Sequence, residues 1–425
     1  MMDATSLFTT GFLLLLALST GVQLWLTRRH MRHVKAHADR VPEPFRENIP
    51  LEAHRRAAEY TLARARLDQA ETLWQAVVLL GWTLGGGLDL LDGFWRGFGW
   101  EPVATGTAVL LSALAINSLL ELPFSIWHTF VIEDRFGFNR TTPATFVSDL
   151  LKQALLLVVI GGPLIALVLW LMERAGSLWW FDVWLVWMGF TLLMMWAWPT
   201  FIAPLFNRFE PLKDEALRQR IERLLSRAGF SSQGVFVMDG SRRSGHGNAY
   251  FTGFGRNKRI VFYDTLLDTL SPDEIEAVLA HELGHFRRRH VQKQLAVMAL
   301  LSLAGLWLLG WLMNTPAFFA GLGVSHPSTY NGLLLFLMVM PLFGVFLQPV
   351  INAFSRRYEF EADDFAARQT DARRLVSALV KLYRENASTL TPDPLYSAFH
   401  DSHPPAPVRI AHLQAQRPMA QEVTS

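Results

Sequence analysis

Two histidines and a glutamate form a short motif in the second half of the chain, His281-Glu282-Leu283-Gly284-His285. Residues four apart lie on one face of a helix, so both imidazoles can bind one metal ion. Glu282 stands between them and can act as a general base toward a water that the metal activates. The alternative is a solvated helix face with two unrelated histidines. We predict a zinc site with His281 and His285 as ligands and Glu282 as the catalytic base.

The sequence before the motif supports the helix that this spacing requires. Ser271-Pro272-Asp273-Glu274 has the pattern of a capping box, with proline at the first helical position. Apolar residues then recur at helical spacing, at Ile275, Val278, Leu279 and Leu283. We therefore expect a helix that begins near Ser271 and carries the motif.

A catalytic zinc usually has three protein ligands and one open position, so a third ligand is needed. The chain has no cysteine, which leaves histidine, aspartate or glutamate. An acidic pair at helical spacing, Glu359 and Asp363, is the best candidate. We assign Glu359 to the metal, and we expect Asp363 to orient a ligand histidine through its other ring nitrogen. The alternative for such a pair is a solvated helix face.

The composition predicts a membrane protein. Of 425 residues, 51% are hydrophobic, and the formal net charge is only +2, so no nucleic-acid partner is expected. The absence of cysteine excludes disulfides and thiolate metal sites. Seven apolar stretches reach the length of about 20 residues that a bilayer requires. They are Leu7–Thr27, Thr72–Phe94, Val103–Trp127, Gln153–Met172, Trp179–Ile202, Gln294–Met313 and Asn331–Asn352.

The loops between these stretches indicate an orientation. Lysine and arginine concentrate in the odd-numbered loops and the C-terminal tail, whereas the sixth loop carries no charge. The basic loops are expected in the cytoplasm, with the N-terminus outside. Two spans separate the His281–His285 motif from Glu359. An even number of spans returns the chain to the same side, so the two parts of the site can meet.

We divide the chain into four segments: residues 1–202 with spans one to five, an insert at 203–290, spans six and seven at 291–352, and a C-terminal helical segment at 353–425. The insert is predicted to be a cytoplasmic α/β unit. A strand hairpin within it can pair with an extended substrate backbone, or it merely covers the helix. The predicted elements are the helix Asp214–Ala228 and the strands Gly234–Met238, Asn248–Gly253 and Arg259–Tyr263.

Three polar residues lie inside predicted spans: Asp89, Asn117 and Glu121. Such groups are functional hypotheses by default, because burying them in lipid is costly. A wet chamber between the helices explains them, and so does hydrogen bonding between helices. The sequence does not decide between these two explanations.

In combination, several motifs resemble the type I CAAX prenyl protease family, which consists of integral-membrane zinc endopeptidases. The resemblance covers most of the chain and is carried by Val131–Asn139, Ile202–Phe209, Asn248–Phe251, the His281–His285 motif, Ser355–Asp363 and Ser402–Pro405 with Arg409.

The resemblance implies a mainly α, polytopic membrane fold. Seven transmembrane helices would enclose a water-filled chamber faced by a thermolysin-like catalytic site. It also implies one zinc ion per chain, held by His281, His285 and Glu359. Further residues follow from the resemblance alone: Asn248 as a contact to the substrate backbone, and His403 and Arg409 as groups that stabilise the transition state or the substrate.

The predicted function is zinc-dependent hydrolysis of a peptide or protein substrate, which is lipidated or not. Membrane lipid is the other predicted partner. Eukaryotic members of the family remove the last three residues of prenylated proteins. One alternative is a membrane quality-control protease without prenyl specificity. An alternative of another class is a metal-binding transporter or receptor. The arginine-rich, lysine-poor composition predicts a bacterial protein of the inner membrane.

Overall fold

The computed structural model describes residues 3–230, 234–252 and 259–415, most of which are helical. Within these ranges six helices are long and apolar enough to cross a membrane, or seven if one bent pair forms a single span. This confirms the predicted polytopic, mainly α fold. The first helices are α1 (Ala4–His37), α2 (Leu51–Trp82), α3 (Gly87–Arg96), α4 (Pro102–Trp127), α5 (Pro143–Leu156), α6 (Gly162–Arg174), α7 (Trp179–Ala197) and α8 (Ala203–Phe206).

The bent pair is α2 and α3, which meet at an angle of 49°. The break between them contains Gly86, whose φ of 77° lies in the left-handed region that glycine adopts at little cost. The predicted second span, Thr72–Phe94, crosses this break. The glycine run therefore bends the second span.

The insert folds around a four-stranded sheet. Its order is β1-β2-β4-β3, with β2 and β4 parallel and the other neighbours antiparallel, so β3 lies at an edge. The predicted helix and three strands are confirmed, whereas the turn of the predicted hairpin, Gly255-Arg256-Asn257-Lys258, lies outside the described residues. The elements are β1 (Phe209–Pro211), α9 (Glu215–Arg227), β2 (Val235–Met238), β3 (Ala249–Thr252), β4 (Arg259–Tyr263), α10 (Asp264–Thr269) and α11 (Pro272–Arg287).

A single long helix joins the last span to Glu359. The sequence prediction placed a boundary between residues 352 and 353, but the 41-residue helix α14 runs across it without a break. The remaining helices are α12 (His290–Leu312), α13 (Pro316–Gly321), α14 (Thr329–Gln369), α15 (Ala372–Glu385), α16 (Pro394–His400) and α17 (Ala406–Ala415).

The core of the insert is shared with the C-terminal segment. Leu279 and Leu283 of α11 belong to the same buried cluster as Leu375 and Leu379 of α15 and Leu413 of α17. Burial of these side chains stabilises both segments together. The four-segment division stays a prediction, and the packing favours treating 203–290 and 353–425 as one unit.

Two of the three polar residues in predicted spans make hydrogen bonds to another helix or to a loop. Asn117 accepts a hydrogen bond from the indole of Trp82 at 2.7 Å, and Asp89 accepts one from the backbone of Ser325 at 3.0 Å. Glu121 instead lines a cavity of about 380 Å³ between the membrane helices, together with Asn117. The larger water-filled chamber stays a prediction.

Candidate metal centre

Helix α11 begins with the capping box that the sequence predicts. The backbone N–H of Ser271 donates to Glu274 Oε2 at 2.7 Å, and the Ser271 side chain accepts from the backbone of Glu274 in return. The helix places His281 and His285 one turn apart, with their Nε2 atoms separated by 3.2 Å. The helix start and its register therefore direct both imidazoles toward one point.

Close packing of α11 against α14 brings the third residue to this point. Gly284 lies so near α14 that a Cβ atom there would be 2.8 Å from the Cα of Ala362 and 3.0 Å from its carbonyl oxygen. No side chain fits in that space without moving backbone. The glycine between the histidines therefore permits the helix contact that places Glu359 beside them.

The three candidate ligands have the separations that a tetrahedral metal requires. Glu359 Oε2 lies 3.4 Å from His281 Nε2, and Glu359 Oε1 lies 3.3 Å from His285 Nε2. Ligand atoms about 2.0–2.1 Å from a tetrahedral zinc lie about 3.3–3.4 Å from one another. Among the described residues, this is the one group of three that could hold a metal ion.

The buried oxygen Glu359 Oε2 accepts no hydrogen bond of acceptable geometry within the described ranges. The Nδ1 atom of His403 lies 2.8 Å from this oxygen, which is short enough for a hydrogen bond, but the angles between the two groups do not suit one. A buried carboxylate oxygen without a partner is costly unless something binds it. The residues present therefore fit a bound cation.

His281 is oriented from the side opposite Glu359. Its Nδ1 atom lies 2.8 Å from Asp363 Oδ1, and Arg409 donates to the same carboxylate through Nε at 2.9 Å. Burial opposes the charged imidazolium, but the neighbouring carboxylates of Asp363 and Glu359 outweigh it and raise the pKa of His281 to about 9. A metal must therefore displace a proton from His281 when it binds.

The structure brings some of the other predicted residues to the centre. His403 lies in a loop with its side chain 65% exposed, next to Glu359. Arg409 is buried, and its guanidinium contacts Asp363 and Glu359, which are both residues of the centre. The predicted role of Arg409 toward substrate stays a prediction.

Two other predicted residues, Glu282 and Asn248, form no hydrogen bond or ion pair with the centre in the part of the chain that the structure describes. Glu282 is half-buried on α11, next to His281. Asn248 is exposed just before the edge strand β3, where its side chain accepts a hydrogen bond from the backbone of Ala249. Their roles stay predictions.

Two residues near the centre were not predicted. His290 Nδ1 lies 3.0 Å from His285 Nδ1, and His290 Nε2 lies 3.2 Å from Glu361 Oε2. The signal in the sequence is a third histidine five residues after His285. Helical spacing does not predict this contact, because α11 ends at Arg287.

Comparison with known proteins finds two family models that match this chain. Residues 30–208 match the family described as CAAX prenyl protease N-terminal, five membrane helices, and residues 211–417 match Peptidase family M48. The CAAX prenyl protease 1 homolog of Arabidopsis thaliana is 40% identical over 317 residues, which are 72% of this chain and 73% of the relative. This chain belongs to the CAAX prenyl protease 1 family.

Other members of the CAAX prenyl protease 1 family cover nearly the whole chain. The homolog of Homo sapiens is 31% identical over 458 residues, covering 96% of this chain and 95% of its own. The crystal structure of S. mikatae Ste24p superposes with a TM-score of 0.87 at 29% identity, covering 97% and 99% of the two chains.

Membership confirms the predicted family, the membrane fold and the enzyme class. As a CAAX prenyl protease 1 family member with a Peptidase family M48 segment, the protein is a membrane metalloendopeptidase that acts on peptides or proteins. The relatives named here are eukaryotic. Bacterial origin and an inner-membrane location stay predictions from composition.

Proposed function

We propose that the protein uses one zinc ion, held by His281, His285 and Glu359, to hydrolyse peptide bonds. The observation that carries this proposal is the set of three ligand separations, 3.2, 3.3 and 3.4 Å. Nitrogen and oxygen ligands in this geometry suit zinc, and three protein ligands leave a position open for catalysis. A transporter or receptor with a structural zinc would normally close the site with four protein ligands.

Each residue of the centre then has a chemical task. When bound, zinc supplies a Lewis acid that polarises the scissile carbonyl and lowers the pKa of a water. Glu282 accepts the proton of the attacking water and passes it to the leaving amine. His403 donates to the oxyanion that develops, and losing one such donor costs about 3 kcal/mol. Asp363 holds His281 in the tautomer whose Nε2 lone pair faces the site.

The edge strand β3 offers a place for the substrate backbone. An extended peptide can add to a free sheet edge through main-chain hydrogen bonds. Asn248 immediately precedes this strand and is exposed, which supports its proposed contact with the substrate backbone. The alternative, that the hairpin merely covers α11, predicts that Asn248→Ala leaves KM unchanged.

We further propose a substrate that carries a lipid near its C-terminus, since the relatives are named CAAX prenyl proteases. The test compares cleavage of a prenylated peptide with that of the same peptide without the lipid. A higher kcat/KM for the prenylated peptide supports this substrate class. Equal values favour the general quality-control protease.

We also propose that the insert and the C-terminus lie in the cytoplasm, with the N-terminus outside. Two apolar helices, α12 and the first part of α14, separate His285 from Glu359, which supports a common side for both. Reporter fusions at Leu322 and at the C-terminus are expected to report opposite compartments. The same compartment for both would contradict the orientation.

The zinc assignment is tested by metal analysis of the purified protein. We expect one zinc per chain in the wild type, loss of zinc in His285→Ala, and no loss in the control His326→Ala. His326 is an exposed histidine in the loop before α14, at the other end of the span from Glu359. Stoichiometric zinc in His285→Ala would contradict the assignment.

A further inference from the structure

The imidazole of His290 is fixed on three sides. Its Nδ1 atom lies 3.0 Å from His285 Nδ1, and its Nε2 atom lies 3.2 Å from Glu361 Oε2. Its ring stacks on Tyr358 with the ring centroids 4.3 Å apart and the planes 14° from parallel. The residue is 1% exposed. A ring held in this way keeps one orientation, with Nδ1 directed toward His285.

The positions of the protons follow from these contacts. His285 turns Nε2 toward Glu359, so this nitrogen needs a lone pair to bind a metal and the proton belongs on Nδ1. The Nδ1–H of His285 can then donate to Nδ1 of His290. His290 in turn carries its proton on Nε2 and donates it to Glu361. One carboxylate thus fixes the tautomers of both rings.

We infer that His290 is a positioning residue for the metal ligand His285, and that Glu361 orients His290. This inference rests on the proposed zinc site. His281 receives its support directly from Asp363, whereas His285 receives it from Glu361 through one intervening ring. Such outer partners typically change metal affinity by about 10–100-fold when they are lost.

The backbone between α11 and α12 is arranged to make this contact. Helix α11 ends at Arg287, and α12 begins at His290 after Arg289, whose φ of 57° is left-handed. A left-handed residue other than glycine is strained, and it persists where its surroundings determine it. The reversal places His290 on the first turn of a membrane-spanning helix. The orientation of His285 is therefore tied to the position of α12.

Three substitutions at His290 separate hydrogen bonding from packing. His290→Phe keeps an aromatic ring on Tyr358 and removes both nitrogens. His290→Asn can place an amide near the position of Nδ1 and keep the contact to His285. His290→Gln places its amide near the position of Nε2 and keeps only the contact to Glu361. Glu361→Gln, at a side chain that is 27% exposed, tests the same relay if the His290 variants fail to fold.

The measurement is the zinc dissociation constant against a competing chelator, with the visible spectrum of the Co²⁺-substituted protein as a report on ligand geometry. We expect affinity to fall by about 10–100-fold in His290→Phe and His290→Gln. His290→Asn is expected to keep most of the affinity and a spectrum close to that of the wild type. Glu361→Gln is expected to weaken binding less than His290→Phe, because its amide oxygen still accepts from His290. His326→Phe and Glu222→Gln serve as the exposed controls.

Two results would overturn the inference. One is wild-type affinity and spectrum in His290→Phe, which would show that ring stacking is sufficient. The other is an equal loss in all three His290 variants, which would show a role in packing alone. Failure of the zinc site itself gives a different result, since the wild type would then hold no zinc or His285→Ala would keep it.

Discussion

Two clusters in this protein place two histidines around a buried glutamate, and only one of them has the geometry of a metal site. In the metal centre, the Nε2 atoms of His281 and His285 lie 3.2 Å apart and 3.4 and 3.3 Å from the carboxylate of Glu359. Glu359 Oε2 is left without a hydrogen-bond partner among the described residues. This carboxylate oxygen is therefore able to bind a cation.

The second cluster consists of Tyr60, His128, Glu133 and His246, and we call it the Glu133 cluster. The hydroxyl of Tyr60 donates to Glu133 Oε1 at 2.5 Å, and His246 Nε2 lies 3.3 Å from Oε2. His128 Nε2 is farther away, at 3.5 Å from Oε1. Both oxygens already have partners, and the part of the chain that the structure describes shows no third ligand converging here.

The difference teaches how to separate a metal site from a structural polar cluster. Residue types are similar in the two places, so composition does not distinguish them. The two clusters differ in whether the ligand atoms converge on one point, and in whether a carboxylate oxygen lacks a hydrogen-bond partner. The Glu133 cluster instead links α2, the end of the α4 span and the segment before β3, so we expect it to hold the peptidase unit against the membrane helices.

The largest expected effect comes from replacing the proposed base. Glu282→Gln keeps the volume of the side chain and removes the proton acceptor, so turnover is expected to fall by about 10²–10⁴-fold while zinc remains. Peptidase assays and metal analysis of the same preparation check this. Glu133→Gln in the other cluster is expected to lower stability instead. An equal loss of turnover in both variants, with both proteins folded, would break the comparison.

The next effect concerns the support of the first histidine. Asp363→Asn removes the carboxylate that orients His281, so zinc affinity is expected to fall by about 10–100-fold. His246→Gln in the Glu133 cluster is expected to leave zinc affinity unchanged and to lower the midpoint of thermal unfolding. Zinc titration and thermal melts of both variants measure these outcomes. Weakened zinc binding in a folded His246→Gln would join the two clusters functionally and contradict the distinction.

Helix packing at the metal centre gives a smaller effect. Gly284→Ala puts a Cβ 2.8 Å from the Cα of Ala362, so α11 and α14 must separate. Overpacking of this kind typically costs about 1–3 kcal/mol. We expect a lower unfolding midpoint together with weaker zinc binding, because Glu359 moves with α14. Gly93→Ala is the matched control, since a Cβ at Gly93 meets nothing within 4 Å. Equal behaviour of the two variants would show that the close approach is unimportant.

The smallest effect is a pH dependence at the start of α11. Burial opposes ionisation of Glu274, but hydrogen bonds from Lys381, Ser377 and Ser271 lower its pKa to about 2. Since the unfolded pKa is higher, this carboxylate contributes stability above pH ~4.5 that is lost as the pH falls toward 2. The stability difference between wild type and Glu274→Gln is expected to shrink over this window. A constant difference would contradict the assignment.

The sequence predicts those parts of the site that depend on local spacing. The capping box, the helix of His281 and His285, and the pair Glu359 and Asp363 all follow from residues within one or two helical turns. Contacts that join distant segments do not follow from spacing. The buried guanidinium of Arg409 reaches Asp363 from 46 residues away.

The same limit applies to His290 and to the unbroken α14. The contact of His290 depends on the left-handed backbone of Arg289, which the residue type disfavours. Helix α14 contains Pro341 and Pro349, which usually interrupt a helix, yet it continues to Gln369. Both features are determined by tertiary packing, which local residue propensities do not predict.

X-ray absorption at the zinc edge of the purified protein tests the central claim most directly. We predict a zinc ion with two imidazoles and one carboxylate oxygen as protein ligands at about 2.0–2.2 Å. The His285→Ala protein is predicted to lose an imidazole from this shell or to lose the metal. A closed shell of four protein ligands, or an unchanged spectrum in His285→Ala, would contradict the proposed catalytic centre.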